Sequence, residues 1–133
     1  MIMWFKRKSE KNKNENTISK KKLTEDQKEE LLGFISRKSI EVQSLNIENQ
    51  ARVFEEIGLA YYELGDEENA IASLEKSLQL KKTIGESFKT LLKLYNKKRA
   101  EAAESNDADN LQTFLNKIDL LMQISKDVTR GVK

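Results

Sequence analysis

A pattern of large apolar side chains recurs in this sequence after 34 residues. The recurrence preserves order and chemical type, and it pairs Phe54 with Phe88, Ile57 with Leu91, and Tyr61 with Tyr95. Within each copy the spacing is that of one face of an α-helix. A period of this length is typical of stacked helix pairs, because a single pair is too small to bury both of its apolar faces. The period therefore predicts a stack of helices.

The 133 residues contain no proline, cysteine or histidine. Without cysteine and histidine the chain lacks thiol nucleophiles, imidazole bases, disulfides and the usual ligands of zinc. We therefore expect no catalytic residue, no metal site and no cofactor, and we predict that the protein is not an enzyme. The absence of proline also leaves few residues for sharp turns, which favours long helices with short connections.

The formal net charge of +2 is unevenly distributed along the chain. Residues 1–22 contain eight Lys or Arg and two Glu, a net charge of +6, whereas residues 23–133 contain sixteen basic and twenty acidic side chains, a net charge of −4. The segment 1–22 is also too polar to bury a core. We predict a disordered basic tail over 1–22 and a helical domain over 23–133. Because the domain itself is acidic, we expect no nucleic-acid partner for it.

The chain begins with a short apolar segment, Met1–Phe5. Five residues are fewer than the apolar core of a signal peptide, about 7–15 residues, or a membrane-spanning helix, about 20 residues. We therefore expect a cytoplasmic protein. An alternative stays open, in which residues 1–8 contact an anionic membrane surface through Trp4, Phe5 and the adjacent basic residues.

Capping residues predict where the first two helices begin and end. Thr24 and Gln27 fit a capping box, which opens the first helix near Glu25. Asn46 is suited to cap the second helix. Gly65 is expected to end that helix, because glycine readily adopts the left-handed conformation of a helix C-terminus.

Three further helices are predicted in the rest of the chain. The third follows Gly65 and runs to about Leu80. A second capping box, Thr83–Glu86, is expected to open the fourth helix, which continues to about Glu104. Asp107 is suited to cap the fifth helix.

The second and third predicted helices combine large, small and turn residues in a specific order. The set comprises Phe54, Ile57, Gly58 and Tyr61 in the first of the two helices, Gly65 and Asp66 between them, and Ala70, Leu74 and Ser77 in the second. This set resembles the tetratricopeptide repeat family, strongly over residues 51–80 and partially over 84–95. The resemblance implies an all-α, antiparallel helix-turn-helix stack of about five helices.

Two positions depart from the pattern of that family. Lys82 stands where the repeat usually ends with proline, and Leu92 replaces the small residue that corresponds to Gly58 in the second copy. The turn of the second copy is also missing, so the fourth helix is predicted to run on. The first helix then serves as a cap for the stack.

The resemblance also implies a binding face, because the first helix of each unit in this family lines a concave surface where peptides lie. By position it nominates partner-binding residues on helices two and four. These are Arg52, Glu55, Leu59, Tyr62 and Glu63 on helix two, and Glu86, Lys89, Lys93, Asn96 and Lys97 on helix four. The spacing of Lys89, Lys93 and Lys97 predicts one basic stripe, suited to an acidic peptide or simply to a solvated face. The lysine and asparagine clamp of chaperone-binding members is not expected, because Glu55 and Leu59 occupy its positions.

These observations favour a non-catalytic adaptor that binds a protein or peptide partner on the face of helices two and four. No small-molecule substrate is expected. Two alternatives stay open. One is a membrane-surface or nucleic-acid-associated scaffold that uses the basic tail, and the other is a self-associating structural protein that pairs through helices one and five. The oligomeric state does not follow from the sequence.

Overall fold

The computed structural model of the chain describes residues 22–131. Within that range five α-helices occur, namely α1 (Glu25–Glu41), α2 (Ile47–Leu64), α3 (Glu67–Leu80), α4 (Glu86–Glu104) and α5 (Ala108–Thr129). A short 3-10 helix, Val42–Ser44, follows α1. Helices account for about 85% of the described residues, and none of these residues is in a strand. The predicted all-α fold with about five helices is confirmed.

The chain divides into two units, residues 1–30 and residues 31–133. In the described part of the first unit, Thr24 and Gln27 form the predicted capping box. The backbone N–H of Gln27 donates to Thr24 Oγ1 at 3.1 Å, and the backbone N–H of Thr24 donates to Gln27 Oε1 at 3.0 Å. The predicted basic tail lies outside the described residues, apart from Lys22, so its boundary with the helical domain stays a prediction.

Three helices of the second unit begin at a side chain that caps them. Asn46, Asp66 and Asp107 each accept a hydrogen bond from the backbone N–H three residues ahead, at the starts of α2, α3 and α5. Gly65 ends α2 as predicted, with a φ of 84° in the left-handed region. The short connection formed by Gly65 and Asp66 makes α3 antiparallel to α2.

The predicted capping box at the start of α4 does not form. The residue before α4 is Gly85, which has no side chain to accept a hydrogen bond. Thr83 lies two residues further upstream, outside the position from which a threonine can cap this helix. The prediction of Thr83–Glu86 as a cap was therefore wrong, although the helix begins at the expected residue.

The apolar side chains of the second unit form two clusters. The first joins α1, the 3-10 helix and α2, and its buried members are Ile35, Val42, Val53, Ile57 and Ala60. The second joins α3, α4 and α5, and its buried members are Ala70, Leu74, Leu78, Phe88, Leu91, Leu94, Tyr95 and Leu121. Tyr61 contacts both clusters. The helix α2 therefore contributes side chains to both clusters. The surfaces of α2 and α4 that do not enter the clusters are held in place by this packing.

Candidate functional site

The residues predicted to bind a partner lie on α2 and α4, two helices in contact with each other. They differ in how far the rest of the protein engages their side chains. Some are occupied by contacts inside the second unit, and others are exposed and uncommitted among the described residues.

Glu55 is engaged inside the protein. Its side chain is half-buried, and Oε2 accepts hydrogen bonds from the backbone N–H of Ser87 at 2.9 Å and from Ser87 Oγ at 2.8 Å. Ser87 lies in the first turn of α4. Glu55 therefore supplies, from a neighbouring helix, the acceptor that Gly85 lacks. No local sequence signal indicates this role, because the two residues are 32 positions apart.

A buried polar contact continues from this cap into α3. Ser77 Oγ donates to the backbone oxygen of Ala51 at 2.7 Å, and Ser87 Oγ lies 3.4 Å from Ser77 Oγ. Ser77 and Ser87 are only 5% and 1% exposed. These hydroxyls are accounted for by contacts between α2, α3 and α4, and they offer no free nucleophile.

The apolar part of the predicted face lies on α2. Leu59 is half-buried and contacts the α3–α5 cluster, whereas Tyr62 is 37% exposed. Glu63 beside Tyr62 is exposed. An exposed aromatic ring next to a partly covered leucine is a surface suited to contact with an apolar side chain of another protein.

The predicted basic stripe on α4 is only partly available. Lys89, Lys93 and Asn96 are exposed, and no ion pair of Lys89 or Lys93 occurs with another described residue. Lys97 instead donates a hydrogen bond to Glu67 at the start of α3. The three predicted lysines therefore reduce to two that face solvent without an acidic partner in the described range.

Glu67 is the acidic residue that pairs with Lys97, the last lysine of this stripe. It also forms an ion pair with Lys98, 2.9 Å away, a residue outside the predicted basic stripe. Burial raises the pKa of Glu67, but the hydrogen bonds from Lys97 and Lys98 together lower it more, so the pKa lies below its ordinary value. The hydrogen bond to Glu67 raises the pKa of Lys98 in turn.

Arg52 interacts along its own helix. Its Nη2 donates to Asn49 Oδ1 at 3.1 Å, and its Nη1 lies 4.0 Å from Glu56 Oε2. Its side chain stays largely exposed. Glu86 is also exposed. Arg52 and Glu86 therefore lie near the N-termini of α2 and α4, and in the described part of the chain neither forms a hydrogen bond or ion pair with another helix.

The buried tyrosine next to this face is held in a charged contact. Tyr95 Oη donates to Glu75 Oε2 at 2.5 Å, and Lys117 Nζ donates to the same oxygen at 2.7 Å. Burial, and then the hydrogen bond to Glu75 and its charge, raise the pKa of Tyr95 well above its ordinary value. The phenol therefore keeps its proton at physiological pH, and the contact joins α3, α4 and α5.

Over residues 22–131, no group of acidic side chains is arranged to hold a metal ion. In the same range, none of the helices has the combination of length and apolar composition that crossing a bilayer requires.

Residues 51–84 match the sequence model of the tetratricopeptide repeat. The resemblance predicted over 51–80 is therefore confirmed, and the match extends it by four residues into the connection before α4. No curated protein and no solved structure matches the chain.

Proposed function

We propose that this chain, which contains a tetratricopeptide repeat at residues 51–84, is a non-catalytic module that binds a protein partner. Such repeats generally mediate protein–protein binding. The partner binds across α2 and α4 in this proposal, on a face that presents the ring of Tyr62 from one helix and Lys89 and Lys93 from the other. The exposed Tyr62 is the observation that carries it, because tyrosine is among the side chains that most often dominate the binding energy of protein interfaces.

Two of the residues predicted from the sequence are engaged inside the protein, which supports a smaller set of contact residues. Glu55 is assigned to the cap of α4, and Lys97 is assigned to its contact with Glu67. The contact residues proposed for the partner are then Leu59, Tyr62, Lys89, Lys93 and Asn96, with Arg52 and Glu63 at the margin.

These residues favour a particular partner chemistry. Leu59 and Tyr62 offer an apolar contact, and Lys89 and Lys93, one helical turn apart, offer two positive charges. A peptide segment that carries apolar and acidic side chains complements both. The charges are expected to contribute chiefly to the association rate and to specificity, and the tyrosine chiefly to affinity.

Binding of defined peptides tests this function. Two labelled peptide pools, one with acidic and one with basic side chains among the same apolar residues, are titrated with the protein and followed by fluorescence anisotropy. We expect the acidic pool to bind more tightly. Tyr62→Ala should weaken binding about tenfold, because removing a central aromatic contact costs on the order of 1–2 kcal/mol. Lys93→Glu should weaken it several-fold, with a smaller effect at high salt.

Two variants serve as matched controls. Lys76→Glu reverses an exposed charge on α3, and Ile40→Ala removes an exposed apolar side chain from α1. Neither lies on α2 or α4, so both should bind like the unmodified protein. If Tyr62→Ala and Lys93→Glu bind as well as these controls, the binding face lies elsewhere.

A further inference from the structure

The basic stripe on α4 ends at a carboxylate that comes from another helix. Lys89, Lys93 and Lys97 follow one another at intervals of four residues, which places them on one face of α4. Lys89 and Lys93 form no ion pair with another described residue, whereas Lys97 Nζ donates to Glu67 Oε2. Glu67 lies in the first turn of α3. The third lysine of the stripe therefore already has an acidic partner within the chain.

Glu67 is held beside the stripe by more than its contact with Lys97. Its second carboxylate oxygen, Oε1, lies 2.9 Å from Lys98 Nζ. The positive end of the α3 dipole also favours a carboxylate in the first turn of the helix. The side chain of Glu67 is 22% exposed, compared with 53% for that of Lys97. A carboxylate fixed in this way loses little further rotamer freedom when it pairs with Lys97.

An acidic side chain of a partner gains little by binding to Lys97. It would replace one ion pair by another of the same kind, and such an exchange changes the free energy little. It would also approach the carboxylate of Glu101, whose Oε2 lies 3.9 Å from Lys97 Nζ, and like charges oppose binding. At Lys89 and Lys93, in contrast, a partner supplies an acidic group where the described residues supply none.

We propose that Glu67 competes with the partner for Lys97 and thereby limits the partner to two acidic side chains on this stripe, one at Lys89 and one at Lys93. This inference rests on the face of α2 and α4 proposed above. Successive lysines of the stripe are about 6 Å apart along the helix axis, close to the spacing of about 6.6 Å between alternate residues of an extended peptide. The favoured partner segment therefore carries two acidic residues separated by one residue, and a third at the same interval adds no affinity.

Three labelled peptides with the same apolar residues test the inference by fluorescence anisotropy. One carries two acidic residues separated by one residue, and the others add a third at the same interval, at the N-terminal or the C-terminal end. The unmodified protein should bind all three with affinities equal within about twofold. Glu67→Gln should bind one of the longer peptides about threefold more tightly than the two-acid peptide, because the freed Lys97 pairs with the added residue. The other longer peptide extends beyond Lys89 and controls for total charge.

Two further variants separate competition for Lys97 from a general effect of charge. Glu68→Gln removes the next carboxylate of α3, which is exposed and forms no ion pair with a described residue, and it should bind like the unmodified protein. Lys97→Ala alone should leave all three affinities unchanged, and combined with Glu67→Gln it should abolish the gain.

The outcomes distinguish this inference from the proposed function. The inference is overturned if Lys97→Ala alone weakens binding of the longer peptides, or if Glu67→Gln binds the two-acid peptide but gains no affinity from the third acidic residue. In either case the proposed face stands as long as Lys93→Glu weakens binding of the two-acid peptide. If Lys93→Glu has no effect, the proposed face is wrong and the inference falls with it.

Discussion

At the scale of single residues, Gly58 determines how closely α2 and α3 approach. A Cβ atom added at Gly58 would lie 2.6 Å from Cγ of Leu74 and 3.2 Å from its backbone nitrogen. Leu74 is fully buried, with an exposure of 0%, so its side chain has no free space into which it could move. A residue without a side chain is therefore needed at this contact, although glycine in the middle of a helix is otherwise unfavourable.

We predict that Gly58→Ala destabilises the protein. Alanine favours the helix by about 1 kcal/mol over glycine, but overpacking a close contact costs typically 1–3 kcal/mol. The net free energy of unfolding should fall by up to about 2 kcal/mol, as measured by urea unfolding followed by circular dichroism.

Gly33→Ala is the matched control for this substitution. Gly33 also lies within a helix, and its added Cβ would be 3.6 Å from Arg37 Nη1, an ordinary contact. The alanine should therefore stabilise the protein by up to about 1 kcal/mol. The explanation fails if both alanine variants shift the stability in the same direction.

At the scale of elements, α4 depends on another helix for its first turn. The other helices of the second unit that begin within it carry their own caps, at Asn46, Asp66 and Asp107. The N-terminus of α4 is instead satisfied by Glu55 from α2, which accepts from both the backbone and the side chain of Ser87. The start of α4 therefore forms only where α2 is correctly packed against it.

We predict that Glu55→Ala destabilises the protein by about 1–2 kcal/mol, because it removes the acceptor of a helix N-terminus and leaves the backbone N–H of Ser87 without an acceptor. Glu55→Gln keeps an oxygen that accepts a hydrogen bond and should lose about half as much or less. Thermal unfolding of the two variants, followed by circular dichroism, measures the difference. Equal stability of Glu55→Ala and the unmodified protein would show that Ser87 does not need this acceptor.

At the scale of the whole molecule, ion pairs join residues that are distant in the sequence. They include Lys81 with Glu48, Lys98 with Glu67, Lys117 with Glu75, and Lys82 with Asp127. Because each pair is at least partly exposed, each contributes little to the free energy of unfolding and is weakened by salt.

The pair of Lys98 with Glu67 predicts a pH dependence of stability. The pKa of Glu67 is lowered in the folded state, so its contribution is present above the ordinary value of 4.5 and is lost as the pH falls through the folded pKa. The pKa of Lys98 is raised, so its contribution is present below 10.5 and is lost as the pH rises through the folded pKa. Between these limits the pair should contribute a constant amount.

Urea unfolding between pH 3 and pH 7 measures the acidic limit. Glu67→Gln should lower the stability by about 1 kcal/mol or less at pH 7 and should reduce the loss that occurs on acidification below about pH 4.5. Glu63→Gln, at an exposed carboxylate of α2, is the control and should leave the profile unchanged. An identical acid profile in Glu67→Gln and the unmodified protein would contradict the assignment.

Much of the fold could be predicted from the sequence because its signals are local. The capping residues Thr24, Asn46 and Asp107 act on backbone groups within one turn of helix, and Gly65 acts through its own φ. The spacing of apolar residues likewise reports one face of one helix. The repeat at residues 51–84 could also be identified in advance, because its small and large positions stand in a fixed order.

What the tertiary structure decided concerns residues that are far apart in the chain. It assigned Glu55 to the cap of α4 and Lys97 to Glu67, and it added Lys98, which the spacing of the basic stripe did not select. These contacts join residues about 30 positions apart, so they exist only after α2, α3 and α4 have packed. The sequence by itself determined the helices and the order in which they stack. Packing decided which of their polar side chains stabilise the stack and which remain exposed to solvent.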